Sequence, residues 1–385
     1  MSEKKHALLS ASGSERWINC PPSALLEQEF QEERSFYAKE GELAHDIAEN
    51  KISLYLENIS KNLYTRRLNR LKKDELYSGD IEKDVQPYVD FAIERINYGN
   101  SRDKGTVVLV EHRLDFSNYV PHGFGTGDLV IISDNVIEVV DLKFGKGVPV
   151  DAKENTQMML YAVGALNQFG CLYDIEKVSI TIVQPRLDSI STHEIDVNKL
   201  ITWAENVVRP KAKLAIEGKG DFSAGEHCRF CKGRFNCRAR AEENMKMAQY
   251  DFKKGPLLTD DEISDIIFSA DEFKKWIKDI EAYTLDKAVN ENKKWTGFKL
   301  VEGRSSRKYR DEEVVANTLL KAGFKECSIY SKNLLGITAM EKIVGKKKFN
   351  ELLDSLVFKP QGKLTLVSEN DKRPEIKSTA EADFK

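Results

Sequence analysis

Long apolar runs are missing from this 385-residue chain. No stretch approaches the roughly 18 residues that cross a bilayer, and the opening MSEKKHALLSAS has no apolar centre of the kind an export signal carries. The expectation is a cytoplasmic protein with no membrane association. Cysteine is scarce, six in all, and in a reducing compartment a disulfide framework is not expected. A tight cysteine group then points to metal or redox chemistry. No GxxxxGK[ST] phosphate loop is present, so any strand unwinding needs a partner. An excess of positive charge is lacking too, since the formal net charge is −3, and no internal repeat is visible.

What the chain does have is core material and a charged surface: hydrophobic residues make up 41% and charged residues 31%. That suits a globular protein of two or three domains, or one large elaborated domain. The near-neutral balance hides three basic islands, RRLNRLKK (66–73), GRSSRKYR (303–310) and GKKKF (345–349). Each could neutralise phosphates or be an ordinary solvated helix face or loop. Trp295 and Tyr309 are available near the last two for stacking on bases.

Apolar spacing of three and four predicts helices over 21–33, 40–58 and 81–99. Three segments rich in Val and Ile read as strands: TVVLVEHRLDF (106–116), GDLVIISD (127–134) and NVIEVVDLKF (135–144). Asp134-Asn135 supplies a hairpin turn between the last two. After Gly145, Gly147 and Pro149 come a helix over 153–168, a strand VSITIVQPR (178–186) and a helix near 197–216. Beyond 255 the pattern predicts a helical pair over 260–290, short amphipathic helices over 311–356 and a polar, disordered tail from 368. The order describes an α/β fold, a mixed central sheet flanked by helices, with a mainly helical C-terminal region. Domain boundaries are expected at 1–250, 251–367 and 368–385, the second without an assigned role.

The stretch GFGTGDLVIISDNVIEVVDLKFG (123–145) is the most informative. Asp128 is expected to open one strand and Asp141 to sit near the end of its hairpin partner, which brings both carboxylates to one end of the sheet. Lys143, two residues after Asp141, projects from the same face. Two hard oxygen ligands beside an ammonium suit Mg²⁺ or Mn²⁺ acting on a phosphodiester. Asp-x-Lys alone is a weak signal.

Its neighbours strengthen it. Gly41 and His45 in EGELAHDIAE form a Gly-x-x-x-His pattern on a predicted helix, and Gln157 and Tyr161 in NTQMMLYA lie four apart on one helical face. With Asp128, Asp141 and Lys143 in this order, residues 8–245 resemble the PD-(D/E)XK nucleases, and within them the RecB-like branch. The resemblance implies a restriction-endonuclease-like core. It implies a divalent ion held by His45, Asp128, Asp141 and the backbone carbonyl of Leu142. Lys143 is then expected to assist the attacking water, and Gln157 with Tyr161 to hold the scissile strand. Glu111 is a further acidic residue for the site. The ordinary alternatives are a half-buried hydrogen-bonded His45, a core aromatic at Tyr161, a surface amide at Gln157 and a turn residue at Asp128.

HCRFCKGRFNC (227–237) holds Cys228, Cys231 and Cys237, three ligands for a site that usually takes four. The same branch includes AddB-type and CRISPR-associated nucleases in which one cysteine before the core and three after it hold a [4Fe-4S] cluster. That resemblance assigns the fourth ligand to Cys20, in SGSERWINCPPS, where Ser12, Ser14 and Trp17 lead into Cys20-Pro21. The cluster would staple the two ends of the nuclease fold. Structural Zn²⁺ is the competing occupant, and His227 the substitute ligand if Cys20 is merely buried. Cys171 and Cys327 read as ordinary buried or half-buried thiols.

The resemblance therefore implies a metal-dependent DNA exonuclease that processes DNA ends in recombination, repair or phage replication. Its partners would be single- or double-stranded DNA ends and a helicase, single-strand-binding or recombinase protein. The broad layout resembles phage-encoded members, which places it in the bacterial host cytoplasm. The rival from another class is a non-catalytic DNA-binding or scaffolding protein that retains a nuclease fold.

Overall fold

In the computed structural model, the described residues are 7–30, 35–246, 259–299, 312–321, 325, 330, 336–353 and 356–357. The island at 303–310, Tyr309, Cys327 and the tail from 368 lie outside them. The chain divides into two compact units, Met1–Tyr283 and Thr284–Lys385.

In the first unit, Val- and Ile-rich segments form β1 (Val107–Asp115), β2 (Phe124–Ser133), β3 (Val136–Leu142) and β4 (Lys177–Gln184), close to the predicted spans. A fifth strand, β5 (Ser189–Asp196), is polar and alternately exposed, so it lacks the apolar signal that marks the others. The strands pair in the order β1-β2-β3-β4-β5. Three pairings are antiparallel; β3 and β4 run parallel, joined by α6 (Thr156–Phe169). Asp134, with φ 57°, makes the tight β2–β3 turn expected of Asp134-Asn135.

One sheet face, carrying Val130, Ile132, Ile137, Val139, Val178 and Ile180, packs on α6, on the N-terminal segment and on α7 (Val197–Trp203) and α8 (Arg209–Glu217). The last two are one helical run interrupted by a π-helical turn at Ala204–Val208. The other face, with Leu129, Ile131, Val140 and Leu142, packs on α3 (Phe36–Tyr55) and α5 (Gly79–Arg102). The molecule is thus a mixed five-stranded sheet flanked by helices.

Several predicted elements differ. Of the helix expected over 21–33, the described residues form only α2 (Ser23–Leu26) and a 3-10 turn at Glu27–Glu29, while a short helix that was not expected, α1 (Ser14–Asn19), stands before Pro21-Pro22. Between α3 and α5 stands α4 (Lys61–Leu71), whose only buried residue is Leu71, so apolar periodicity could not reveal it. The expected pair over 260–290 is a single helix, α10 (Asp260–Asn290); it contains no Gly or Pro to break it. It follows the shorter α9 (Arg238–Met245). In the second unit the short helices Glu312–Lys321, Ile337–Val344 and Lys346–Leu353 fall in the expected 311–356 region. No helix of the described residues is long and apolar enough to cross a membrane.

Candidate metal and catalytic site

The register that pairs Val110 with Leu129 and His112 with Gly127 sets Glu111 opposite Asp128. The register pairing Leu129 with Val140 continues to set Asp128 opposite Asp141. Three carboxylates therefore stand in one row on three adjacent strands. Asp128 is in mid-strand rather than at the strand opening that the sequence suggests, because β2 begins four residues earlier at Phe124.

The row sits at a slip in the sheet. Val107 and Leu109 pack on the α6 side of β1, and so do Leu114 and Phe116, so the alternation changes phase between them. On β2, a Cβ at Gly125 would meet Tyr161 of α6, yet Val130 faces that same side. The slip falls at Glu111, whose φ of 46° is left-handed, where a non-glycine strand residue is strained. It turns Glu111 and Asp128 toward α3. There the His45 Nδ1 lies 3.3 Å from Asp128 Oδ1 and 3.7 Å from Glu111 Oε1. One donor atom from each of the three lies within 4.8 Å of the others, a spacing that could hold a metal ion.

Burial opposes a charged imidazole here, but the facing Asp128 and Glu111 outweigh it and lift His45 well above its ordinary range. Burial likewise opposes ionisation of Asp128; His45, the Leu142 N–H (2.7 Å from Oδ2) and Lys143 overcome it and hold this carboxyl low. Glu111 and Asp141 are both pushed up, chiefly by burial.

Asp141 keeps its place in the alternation and faces α6. Its Oδ1 accepts from Gln157 Nε2 at 3.3 Å, and Gln157 Oε1 accepts from Lys143 Nζ at 3.0 Å. The same Gln157 amide donates to the Tyr161 hydroxyl at 3.1 Å. Lys143 Nζ is 3.0 Å from Asp141 Oδ2, an ion pair as expected for residues two apart on a strand. This ammonium is the partner of the buried Asp141 Oδ2. All the residues that the sequence singled out for catalysis meet at this end of the sheet. Glu111, named only as a further acidic residue, is a full member. For Leu142, the group seen in the site is its N–H on Asp128.

Two features were not legible in the sequence. Tyr88 of α5 is buried with an unpartnered hydroxyl, and burial together with Asp128, Asp141 and Glu111 pushes its ionisation far up. On α5 it falls in step with Val85, Val89 and Ala92, so it reads as core. Arg186 holds Glu40 of α3 through two 2.8 Å hydrogen bonds and Asp84 of α5 at 3.0 Å, and lies 3.7 Å over the Phe144 ring. It ties the helix that carries His45 to the residue after Lys143, and no local pattern announces contacts so far apart in the chain.

The four cysteines assigned to one site also converge. Cys20, Cys228, Cys231 and Cys237 line one pocket with Arg16, Ser23, Arg234 and His227. His227 accompanies Cys20 and places its Nε2 3.0 Å from the Ser223 carbonyl oxygen. Burial raises the Cys228 thiol and pushes that of Cys231 up to about 12. The two chain segments are stitched together around this pocket. Glu27 pairs with Arg16 and accepts from the Lys232 N–H at 2.9 Å, Ser223 Oγ donates to the Asn19 carbonyl at 2.6 Å, and Phe30 meets Phe235 edge to face. Cys171 is exposed, contrary to the buried or half-buried thiol expected, because it sits in the loop after α6.

Fold and site together define a mixed α/β protein with a histidine–carboxylate–lysine constellation on the sheet and a separate four-cysteine pocket. Residues 6–374 match the model of the family described as "Protein of unknown function (DUF2800)". The chain belongs to that family. Among solved structures, the chain is similar to one titled "Crystal structure of SSO0001", at 16% identity over 59% of this chain and 96% of that one, with a TM-score of 0.23.

Proposed function

We propose that this protein is a metal-dependent DNA nuclease of the PD-(D/E)XK type, of the RecB-like branch, acting as an exonuclease on DNA ends. The observation that carries the reading is the carboxylate row. Glu111, Asp128 and Asp141 stand side by side, with His45 on one face and Lys143 on the other. Like charges directly opposite on paired strands destabilise a sheet, and the group that faces both Glu111 and Asp128 is the single imidazole of His45. Hard oxygens with one imidazole suit Mg²⁺ or Mn²⁺, so the residues present fit the ion.

His45, Glu111 and Asp128 would hold the ion, with Asp141 on the next strand holding Lys143. When bound, the ion supplies charge neutralisation at the phosphoryl oxygens and acidifies a water. Lys143, 3.0 Å from Asp141, offers an ammonium to the attacking water and the developing negative charge. Gln157 fixes Lys143 from one side and occupies the Tyr161 oxygen from the other. The Tyr161 proton is then left to donate to a phosphate oxygen. Hydrolysis forms a bond from the water oxygen to phosphorus and breaks the bond to the leaving oxygen, which takes up a proton.

A [4Fe-4S] staple is preferred to zinc because one cysteine precedes the sheet and three follow it, the order that the resemblance implies, and all four line one pocket. His227, Arg16 and Arg234 bring positive charge to the pocket.

The test is cleavage of end-labelled single- and double-stranded DNA with Mg²⁺ or Mn²⁺, using protein purified without oxygen, beside Lys143→Ala. The variant should lose cleavage by a factor of about 10³ or more while keeping its circular dichroism and its iron. A fully active Lys143→Ala, or a folded, iron-loaded wild type that cuts no substrate, would overturn the reading.

A further inference from the structure

The island RRLNRLKK, which the catalytic assignment leaves unused, lies on α4 and the turn after it. Asn62, Thr65, Arg66, Asn69, Arg70 and Lys73 line one shallow groove along the exposed face of this helix. Their spacing of three and four residues puts them in a single row. From 62 to 73 the row is about 16 Å long at 1.5 Å per residue. That matches roughly five nucleotides of a stacked strand at 3.4 Å each.

Arg66, Arg70 and Lys73 form no ion pair among the described residues, whereas the neighbouring Arg67 is held by Glu49 of α3 at 3.3 Å. The row is polar throughout, with no apolar anchor of the sort an acidic peptide needs, and Arg, Lys, Asn and Thr are the side chains that contact phosphate oxygens. Nor does α4 float free of the site. Asn50 of α3 donates to the Tyr64 carbonyl at 3.2 Å, and Asp46, next to His45, feels the charges of Arg70 and Arg67.

We infer that this face of α4 is a track for the phosphate backbone of the DNA strand, delivering it along α3 to the site at His45, Asp128 and Asp141. This rests on the nuclease reading for the identity of the strand. Binding on the track depends on charge and hydrogen bonding to phosphates, not on base edges, so it is indifferent to sequence. It gives the protein a grip several nucleotides from the bond that is cut.

The test is fluorescence anisotropy of the full chain with a labelled 20-nucleotide single strand of mixed sequence, in chelator so that nothing is cleaved, over a series of salt concentrations. It compares the wild type, the triple variant Arg66→Gln/Arg70→Gln/Lys73→Gln and a charge-matched triple Lys104→Gln/Lys199→Gln/Lys213→Gln. Removing three phosphate contacts should reduce the log–log salt slope by about 2 and weaken binding at low salt about tenfold or more. The charge-matched variant should stay near the wild type. Equal binding and slope in wild type and α4 variant, equal losses in both variants, or a wild type that binds an acidic peptide in preference to DNA overturns the inference. Circular dichroism and melting verify that the α4 variant is folded; should it not be, the single Lys73→Gln, beyond the end of the helix, must lower the slope by about 0.7. Cleavage is scored separately. A wild type that shows the salt-dependent α4 grip but never cuts sinks the nuclease reading and leaves the track standing, and a wild type that cuts while the α4 variant binds unchanged does the reverse.

Discussion

Glu111 occupies its position against two penalties, a left-handed φ of 46° and a carboxylate directly across the strand pair. The first is of the order of 1 kcal/mol or more and the second is destabilising; His45 Nδ1 stands 3.7 Å from the carboxylate. On the proposed reading, a bound cation would compensate both penalties. Glu111→Asn tolerates the backbone angle better and removes the charge. In chelator the variant should therefore be more stable than the wild type by about 1–2 kcal/mol. Thermal melts in chelator and in Mn²⁺ check this. The wild type should gain more from Mn²⁺ than the variant does, by mass action on the folded state; equal gains would take Glu111 out of the ion site.

Helix α6 brings Gln157 and Tyr161 to the sheet only because glycines let it come close. A Cβ on Gly164 would sit 2.9 Å from the Leu114 Cβ and 3.2 Å from its carbonyl carbon, and one on Gly125 would sit 2.6 Å from the Tyr161 ring. An alanine is the better helix former by about 1 kcal/mol, but overpacking against a strand backbone costs about 1–3 kcal/mol. Gly164→Ala is accordingly expected to be less stable, with a lower urea midpoint and reduced cleavage as α6 moves off β1. A midpoint at or above that of the wild type would show that α6 has room there. Caps set the start of this helix and its neighbours: Asn155 accepts from the Met158 N–H, and Ser35, Ser60 and Ser78 accept from the third residue beyond them.

At the scale of the whole molecule, the cysteine pocket joins a segment near the start of the chain to one more than two hundred residues later. Closing a loop of that length restricts the unfolded chain by roughly 5 kcal/mol, by analogy with a disulfide. Cys20→Ser should lose iron and fall in melting temperature, while Cys171→Ser, exposed and far from the pocket in sequence, should keep both. Iron content and melts of the two variants decide this. Unchanged iron in Cys20→Ser would hand the fourth position to His227, which stands beside Cys20. The pocket region is also braced by α10, since the buried Arg240 pairs with Asp279 at 2.6 Å and with Glu272 at 2.7 Å. This bracing carries the first compact unit past residue 250, the boundary suggested by the change of sequence texture, to residue 283.

Local chemistry sufficed for what is local. Branched apolar residues specify β1 to β4, Asp134-Asn135 specifies a turn, and the two-residue step from Asp141 to Lys143 and the four-residue step from Gln157 to Tyr161 each place two side chains together. The short-range patterns failed where burial was one-sided or absent, as in β5 and α4, and where a helix is long and unbroken, as in α10. The convergence of His45, Glu111 and Asp128, the phase slip that turns two carboxylates toward α3, and the Arg186 clamp were decided only by tertiary structure. Strand pairing and helix packing join residues tens to hundreds apart, and their register depends on the whole buried surface rather than on any neighbourhood of the chain.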